Sequence, residues 1–212
     1  MKIRTIVSGL SLLLLFSCSS KTEKLSLFNG VDLTGWVAVT DTAGSVSNAE
    51  VFTVRDGMIA VTGQPFGYLR TDRKYGDYTL HVEWRWVGEG TNSGIFQRVQ
   101  DGDRVWPAAI ECQLHVGDAG DFVCLGGARI PEVDAPPQVK FPVKERNSTD
   151  SDIENVTGEW NTAEIICTGK NIKVYINGSF ENECTAPVET GYIALQSEGG
   201  PLEFRNIYLL PR

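Results

Sequence analysis

Residues 78–86 read YTLHVEWRW, and their pattern decides the fold class. Large apolar side chains occupy every second position, whereas His81, Glu83 and Arg85 lie between them. Successive side chains of an extended strand point to opposite faces, so this period of two residues predicts a β-strand. One face of the strand should be buried in a core, and the other should face solvent or a site.

Further short strands are predicted on both sides of this one along the chain. They cover Phe52 to Val54, Met58 to Val61, Gly94 to Val99, Ala109 to Val116, Thr162 to Cys167, Ile172 to Ile176, Tyr192 to Gln196 and Leu202 to Leu209. The pairs Asp56-Gly57 and Asn177-Gly178 supply the positive φ angles that two-residue hairpins need. Many short strands with 22 glycines predict an all-β fold, a β-sandwich or jelly roll of two antiparallel sheets.

The first residues have the pattern of an export signal. Basic residues precede an apolar run, Ile6 to Phe16, that is too short to span a bilayer comfortably. The run ends in Leu-Phe-Ser-Cys, which resembles a bacterial lipobox and predicts lipidation of Cys18; cleavage of an ordinary secretory signal nearby is the alternative. We therefore expect a signal peptide over residues 1–17, a tether over 18–24 and a lipid-anchored outer-membrane lipoprotein, on the periplasmic side rather than the cell surface.

The rest of the chain, residues 25–212, has the size of one domain. The whole sequence has 212 residues and 42% hydrophobic content, which is enough for a single buried core. Residues 129–158 are rich in proline and charge and predict a long loop. The formal net charge of −8 argues against nucleic acid or anionic membrane surfaces as partners and suits neutral or cationic ligands.

Four cysteines follow Cys18. Turns at Gly169-Lys170 and Asn177-Gly178 place Cys167 and Cys184 two strands apart, about 9 to 10 Å, which is too far for a disulfide. Cys112 and Cys124 are the more plausible pair, with buried free thiols as an equal alternative. The cysteine spacing does not match a structural zinc site.

Five longer motifs carry a resemblance to a known family. They are SLFNGVDLTGW (26–36), EWRWVGEGTNSGIFQR (83–98), IECQL (110–114), GEWNTAEIICTGKNIKVYING (158–178) and GYIALQSEGGPLEFRNIYLLP (191–211). In this order they resemble the 3-keto-disaccharide hydrolase family, formerly a domain of unknown function that is common in exported proteins of Bacteroidetes-like and planctomycete-like bacteria. The resemblance begins at about Leu25 and implies a concanavalin A-like jelly roll. It further implies an activity on glucosides whose C3 hydroxyl an upstream sugar 3-oxidoreductase has oxidised to a ketone.

The C3 ketone of such a carbohydrate substrate itself determines the chemistry that the enzyme must perform. A ketone at C3 acidifies the C2 proton, so a base can remove it, and the group on C1 then leaves by β-elimination. Water added to the resulting enone completes a net hydrolysis. The enzyme must supply a base, an acid for the departing oxygen and a donor for the enolate oxygen.

The segment ECQLH (111–115) offers residues for these roles. Alternation places Glu111, Gln113 and His115 on one face of the predicted strand. Imidazole titrates near neutrality and burial can tune a carboxylate there, so we predict Glu111 and His115 as the acid and base, in either order, with Gln113 binding substrate. His115 as an ordinary surface residue is the alternative. The family pattern differs here, since many members have Ile-Leu-Asp at the positions of Leu114-His115-Val116.

Other candidates lie on neighbouring segments. Glu83 is a third catalytic candidate, and Arg85 or Arg98 could bind sugar hydroxyls or the enolate oxygen, although Glu83 and Arg85 could equally form an ion pair between strands. Asn92 and Ser93 place small hydrogen-bonding groups at the start of a strand, where they either bind substrate or form a turn.

One tryptophan and several aspartates complete the set. Trp106 is a candidate sugar-stacking platform, while Trp84 and Trp86 are predicted to be core residues. Aspartates 101, 103, 118 and 121 have spacings typical of turns, so we expect no cofactor, with a divalent cation as the alternative. A non-catalytic carbohydrate-binding module of the same fold is the competing function, although the predicted single domain carries no separate catalytic domain for a module to serve.

Overall fold

The computed structural model describes residues 23–41, 47–148 and 153–212. It is nearly all β, with two antiparallel sheets, which confirms the predicted fold class. The predicted signal peptide and Cys18 lie outside the described residues. Within the described ranges, the helical structure contains nothing long and apolar enough to cross a membrane.

The strands follow one another closely along the chain, with one short helix, α1 (Asn48–Val51), before the third. In chain order they are β1 (Leu25–Ser26), β2 (Trp36–Thr40), β3 (Phe52–Arg55), β4 (Met58–Val61), β5 (Gly67–Thr71), β6 (Tyr78–Trp86), β7 (Gly94–Val99), β8 (Ala109–Gln113), β9 (Phe122–Leu125), β10 (Val143–Lys144), β11 (Asn161–Thr168), β12 (Asn171–Ile176), β13 (Ser179–Thr185), β14 (Tyr192–Ser197) and β15 (Leu202–Pro211).

The strands form two sheets in which sequence neighbours are often not spatial neighbours. The first sheet has the order β13-β12-β11-β6-β15-β4-β3, with β1 pairing with β15 as its eighth strand. The second has seven strands in the order β10-β9-β8-β7-β14-β5-β2. In the second sheet, β14 therefore lies between β7 and β5, which brings a segment late in the chain beside β7 and within one strand of β8.

The main core lies between the two sheets. The apolar residues of β6 face it, and both tryptophans of that strand are at most 3% exposed, as predicted. The second sheet contributes side chains such as Ile95, Ile110 and Leu195, each 0% exposed. Both hairpin pairs have the predicted positive φ angles, for example 50° and 75° at Asp56 and Gly57. Sequence reasoning missed β5 and β9, because their runs GYLRT and FVCL are buried on both faces and do not alternate.

A second, smaller apolar cluster covers part of the outer face of the second sheet. It contains Tyr68, Phe96 and Ala194, which are all 0% exposed, together with the partly buried Trp106. The segment 101–106 is tied down over this face by two ion pairs, Lys74–Asp101 (2.7 Å) and Arg70–Asp103 (3.0 Å). Segment 101–106 therefore covers one part of the outer face of the second sheet.

The four cysteines among the described residues are free and buried, so the predicted Cys112–Cys124 disulfide is wrong. The register of β8 and β9 places Cys112 opposite Phe122 and Cys124 opposite Ile110. The two cysteines are thus diagonal neighbours, for which the usual separation of about 7 to 8 Å is too long for a bond. Cys167 and Cys184 both pair with Ile172 from opposite sides, which matches the expected two-strand separation.

Arg98 lies inside the protein rather than on a polar face. It has a φ of +58°, is 1% exposed, and donates hydrogen bonds to the carbonyl oxygens of Tyr75 (3.0 Å), Gly76 (2.7 Å) and Gly169 (2.9 Å). The guanidinium thus joins the segment before β6 to the turn between β11 and β12. This contact gives Arg98 a structural role, and it removes Arg98 from the substrate-binding candidates.

The Arg98→Ala variant should lower the free energy of unfolding by about 3 kcal/mol, because it leaves buried carbonyl groups without donors. For a chain of this size that corresponds to a Tm lower by about 6 to 12 °C. Arg104, which is exposed, provides the matched control Arg104→Ala. Thermal unfolding followed by circular dichroism measures both, and equal Tm values for the two variants would contradict the structural role.

Candidate active site

The uncovered part of the second sheet's outer face forms a hollow of about 350 Å³. Polar and apolar residues line it: Phe66, Asn92, Trp106, Glu111, Gln113, Val123, Leu125, Phe141, Val143 and Glu198. Another hollow of about 520 Å³ lies beside β2. The carboxylates in its lining, Asp41 and Asp103, are both exposed. The hollow around Glu111 differs because its carboxyl group is buried, with the residue 3% exposed.

The strand register explains how Glu111 reaches this hollow. Glu111 pairs with Phe96 of β7 on one side and with Val123 of β9 on the other, and these side chains share the outer face. Its carboxyl group folds over Gly94, where an added Cβ would lie 2.0 Å from Oε1. Glycine at position 94 is therefore required for the carboxyl group to lie flat against the sheet.

Burial controls the protonation of Glu111. Removal from water raises the pKa of Glu111 well above its ordinary value, and the negative charge of Glu198 raises it further. The carboxyl group therefore keeps its proton at pH values where an exposed glutamate is ionised. A carboxylic acid held in this way can donate a proton or a hydrogen bond.

Amide groups surround the carboxyl. In the orientation that satisfies its neighbours, Gln113 Nε2 lies 3.0 Å from Asn92 Oδ1, 3.1 Å from the carbonyl oxygen of Ser93 and 3.2 Å from Glu111 Oε1. Ser93 itself is fully buried and its hydroxyl donates to the carbonyl oxygen of Gln196 (3.0 Å), so it joins β7 to β14. Asn92 and Gln113 line the hollow, whereas Ser93 is not part of the lining.

Glu198 is a residue of the hollow that sequence reasoning missed. It follows β14 and accepts a hydrogen bond from Gln196 Nε2 (2.7 Å). Burial raises its pKa, against the lowering effects of hydrogen bonds from Asn92 and Gln196 and of the positive charge of His115. One sequence feature could have identified Glu198: it is a carboxylate directly before Gly199-Gly200 at the end of a strand, and glycines there allow a close-packed turn.

The turn that carries Glu198 is tightly packed. Gly199 has a φ of +75°, and a Cβ there would lie 2.5 Å from Thr91 Oγ1. The backbone N–H of Gly200 donates to the same hydroxyl. The backbone that follows Glu198 is thus fixed, and its carboxylate lines the same hollow as Glu111.

His115 lies beside the hollow rather than in its lining. β8 ends at Gln113, earlier than predicted, because the backbone leaves the sheet before the turn at Gly117. The His115 side chain is 48% exposed, and its Nδ1 lies 2.9 Å from Asp118 Oδ2. The structure therefore places Glu111 and Gln113 together in the lining of the hollow. His115 lies outside that lining and acts on Glu198 only electrostatically.

Glu83 and Arg85 lie on the outer face of the first sheet, away from this hollow. Glu83 accepts hydrogen bonds from Arg205 (2.6 Å) and Asn206 (2.7 Å); although burial raises its pKa, these bonds lower it below the ordinary value. Arg85 pairs with Glu203 at 2.8 Å. The ion-pair alternative describes both residues, and neither contributes to the site.

Trp106 borders the apolar side of the hollow. Its ring centroid lies 5.8 Å from that of Phe66 and 5.4 Å from that of Phe141. Among residues 23–41, 47–148 and 153–212, no group of three or more histidine, cysteine or acidic side chains is arranged to hold a metal ion. The chemistry available in the hollow is therefore that of two carboxyl groups, amides and aromatic rings.

A family profile described as the 3-keto-alpha-glucoside-1,2-lyase-like domain matches residues 23–210. The chain belongs to this family. The match confirms the resemblance drawn from the five motifs and covers both sheets of the 3-keto-alpha-glucoside-1,2-lyase-like domain. No curated protein matches the sequence significantly.

Solved structures share the fold of this lyase-like domain. A protein from Parabacteroides distasonis assigned as a glycosyl hydrolase has a TM-score of 0.63 at 20% identity, with 88% of this chain and 92% of that chain covered. The carbohydrate-binding module CBM66 from Bacillus subtilis gives 0.58 at 12%, with 82% and 93% covered. The β-glucanase of Bacillus licheniformis gives 0.55 at 16%, with 88% and 96% covered. At these identities the likeness shows the fold alone, and the family membership indicates a carbohydrate-active domain.

The burial of Glu111 predicts a pH dependence of stability. Because the pKa is raised in the folded state, the folded protein binds this proton more tightly, so stability is full at low pH and is lost as the pH rises through the folded-state pKa. Between about pH 5 and about pH 9 the Tm should fall by about 2 to 4 °C for each kcal/mol that the buried charge costs. Glu111→Gln should reduce that fall.

Glu83→Gln provides a control of opposite sign. The pKa of Glu83 is lowered, so its ionised form stabilises the protein at neutral pH and the contribution is lost as the pH falls. Scanning calorimetry across the pH range should therefore show Glu83→Gln least stable relative to wild type at high pH. Parallel Tm curves for wild type and Glu111→Gln would show that Glu111 is not protonated by burial.

Proposed function

We propose that this protein cleaves glucosides that carry a ketone at C3, by eliminating the C1 substituent across the C1–C2 bond. The observation that carries the proposal is the pair of carboxyl groups, Glu111 and Glu198, at one end of a hollow of about 350 Å³. Both groups have a raised pKa, and one is much more buried than the other. Two titratable groups in unequal environments are suited to the roles of acid and base.

Their environments suggest which carboxyl group takes which role. Glu111 is almost completely buried and keeps its proton, so it is the acid. Glu198 is partly exposed and receives hydrogen bonds from Asn92 and Gln196, so it ionises first and is the base. His115 is the alternative base, because it carries an imidazole and lies near enough to Glu198 to act on its charge.

The reaction can be written with these groups. Glu198 takes the proton from C2, and the electron pair of that C–H bond forms the enolate with the C3 carbonyl. The Asn92 amide, which has a second N–H besides the one bonded to Glu198, can donate to the enolate oxygen. The C1–O bond then breaks, the departing oxygen takes the proton of Glu111, and an enone remains; water added across its double bond gives the free 3-keto sugar.

A binding module is the second candidate function. Aromatic side chains border the hollow, and one protein of this fold is the carbohydrate-binding module CBM66. A module would bind plain sugars without changing them, so it has no use for a buried protonated carboxyl group. The cost of burying Glu111 favours the enzyme.

We also propose that the protein acts outside the cytoplasm, as an outer-membrane lipoprotein anchored through Cys18 on the periplasmic side. A sugar 3-oxidoreductase would then supply its substrate. Labelling of the expressed protein with radioactive palmitate, compared with Cys18→Ser, tests the anchor.

The activity itself is tested by comparing a 3-keto-glucoside with the same glucoside before oxidation. The oxidised compound should be cleaved and the unoxidised one left intact, because only the ketone acidifies C2. Glu111→Gln and Glu198→Gln should each lower kcat by about 10²- to 10⁴-fold, the usual loss of a general acid or base. The rate should fall when the pH drops through the pKa of Glu198 and when it rises through that of Glu111.

The matched control is Glu203→Gln, which makes the same change on the first sheet, where Glu203 pairs with Arg85. It should keep wild-type turnover. His115→Ala separates the two possible bases: a loss as large as that of Glu198→Gln would assign the base to His115. Full turnover by Glu111→Gln would refute the assigned acid, and binding of plain glucosides without cleavage of keto sugars would favour the module.

A further inference from the structure

The hollow has two ends of different chemistry. The polar end contains the carboxyl and amide groups of Glu111, Glu198, Asn92 and Gln113. The other end, toward β9 and β10, contains only apolar and aromatic side chains, namely Val123, Leu125, Phe141 and Val143, and Trp106 reaches from Phe141 to Phe66, which precedes β5 on the side of Glu198. Apart from the indole N–H of Trp106, these side chains offer no hydrogen-bonding group.

The register fixes the direction from one end to the other. Glu111 on β8 pairs with Val123 on β9, which in turn pairs with Val143 on β10. Neighbouring strands are about 4.8 Å apart, so the apolar end begins one strand away from the acid and reaches about 10 Å from it. Glu198, the proposed base, approaches from the opposite side through β14 and β7. A group leaving from C1 toward Glu111 would therefore enter the apolar end.

The apolar end is open to solvent. Phe66 is 37% exposed, Phe141 is 41% exposed and Val143 is 44% exposed. Single exposed apolar residues are ordinary, but several at one rim mark a binding surface. The ring of Trp106 is tilted by 48° to that of Phe66 and by 56° to that of Phe141, so the three rings form an angled wall rather than a flat platform.

We infer that the apolar end binds the leaving group, and that this group is an aromatic or arylalkyl alcohol rather than a second sugar. The inference rests on the proposed function and names its substrate class. A second sugar would place the hydroxyl groups of one face against carbon, where they would gain no hydrogen bond from the protein. An aromatic ring has no such groups and gains edge-to-face contacts with angled aromatic neighbours.

The experiment compares leaving groups of different shape: two simple primary alcohols of similar acidity and one sugar. The probes are 2-phenylethyl, ethyl and glucosyl 3-keto-glucosides, all of which release a primary or sugar alcohol rather than a phenol. The 2-phenylethyl compound should have a kcat/KM at least about tenfold above that of the ethyl compound, the ratio expected when a buried ring is added to a ligand. The disaccharide should fall at or below the ethyl compound.

Phe141→Ser tests the subsite directly. It should reduce the preference for 2-phenylethyl over ethyl by about fivefold, because it removes an aromatic ring from the wall of the apolar end. Phe180→Ser is the control: Phe180 is 40% exposed but lies on β13 at the edge of the first sheet. It should leave the preference unchanged.

A binding measurement keeps this test independent of turnover. Calorimetry with the unoxidised 2-phenylethyl and ethyl glucosides should show tighter binding of the former, weakened by Phe141→Ser. Cleavage of the keto-disaccharide with the highest kcat/KM, or equal effects of Phe141→Ser on both alkyl probes, would overturn the inference while leaving the proposed function intact. Absence of cleavage for every keto sugar would refute the proposed function alone, and equal binding of the two unoxidised glucosides would then refute the subsite.

Discussion

The carboxyl group of Glu111, held out of water on the face of a sheet, is the feature on which the site depends. A lone carboxylate there would lose its hydration without gaining a counterion, so burial favours the protonated form. The group can lie flat only because position 94 has no side chain. The second sheet therefore gives up some stability at Glu111 to hold an acid that an exposed glutamate could not provide at neutral pH.

The covered part of the same face keeps that arrangement in place. Segment 101–106 is tied down by ion pairs from Arg70 and Lys74 and encloses the small cluster around Tyr68 and Phe96. Phe96 pairs directly with Glu111, so the cluster excludes water from one side of the carboxyl group. The two-sheet core alone would leave this outer face open, and the extra layer is what makes part of it dry.

Sequence patterns predict the fold well because alternation at positions 78–86 directly reports a strand with one buried face. They also place Glu111 and Gln113 on one face, since both lie within a regular strand. Glu198 escapes this reasoning because it follows β14 and reaches Glu111 only through the spatial order β8-β7-β14, which no local pattern contains. Arg98 is misplaced by the same reasoning from strand alternation, because its φ of +58° breaks the alternation and turns the side chain inward.

The outer faces of the two sheets show why residue type alone does not define the site. On the first sheet, Glu83 is bonded to Arg205 and Glu203 to Arg85, so both carboxylates have cations beside them. On the second, the neighbours of Glu111 are an amide and a second carboxyl group. A paired carboxylate is stable in its charged form and has little tendency to exchange a proton near neutral pH. An unpaired buried one keeps its proton and can donate it, and this difference separates a face held together by ion pairs from one suited to the proposed acid chemistry.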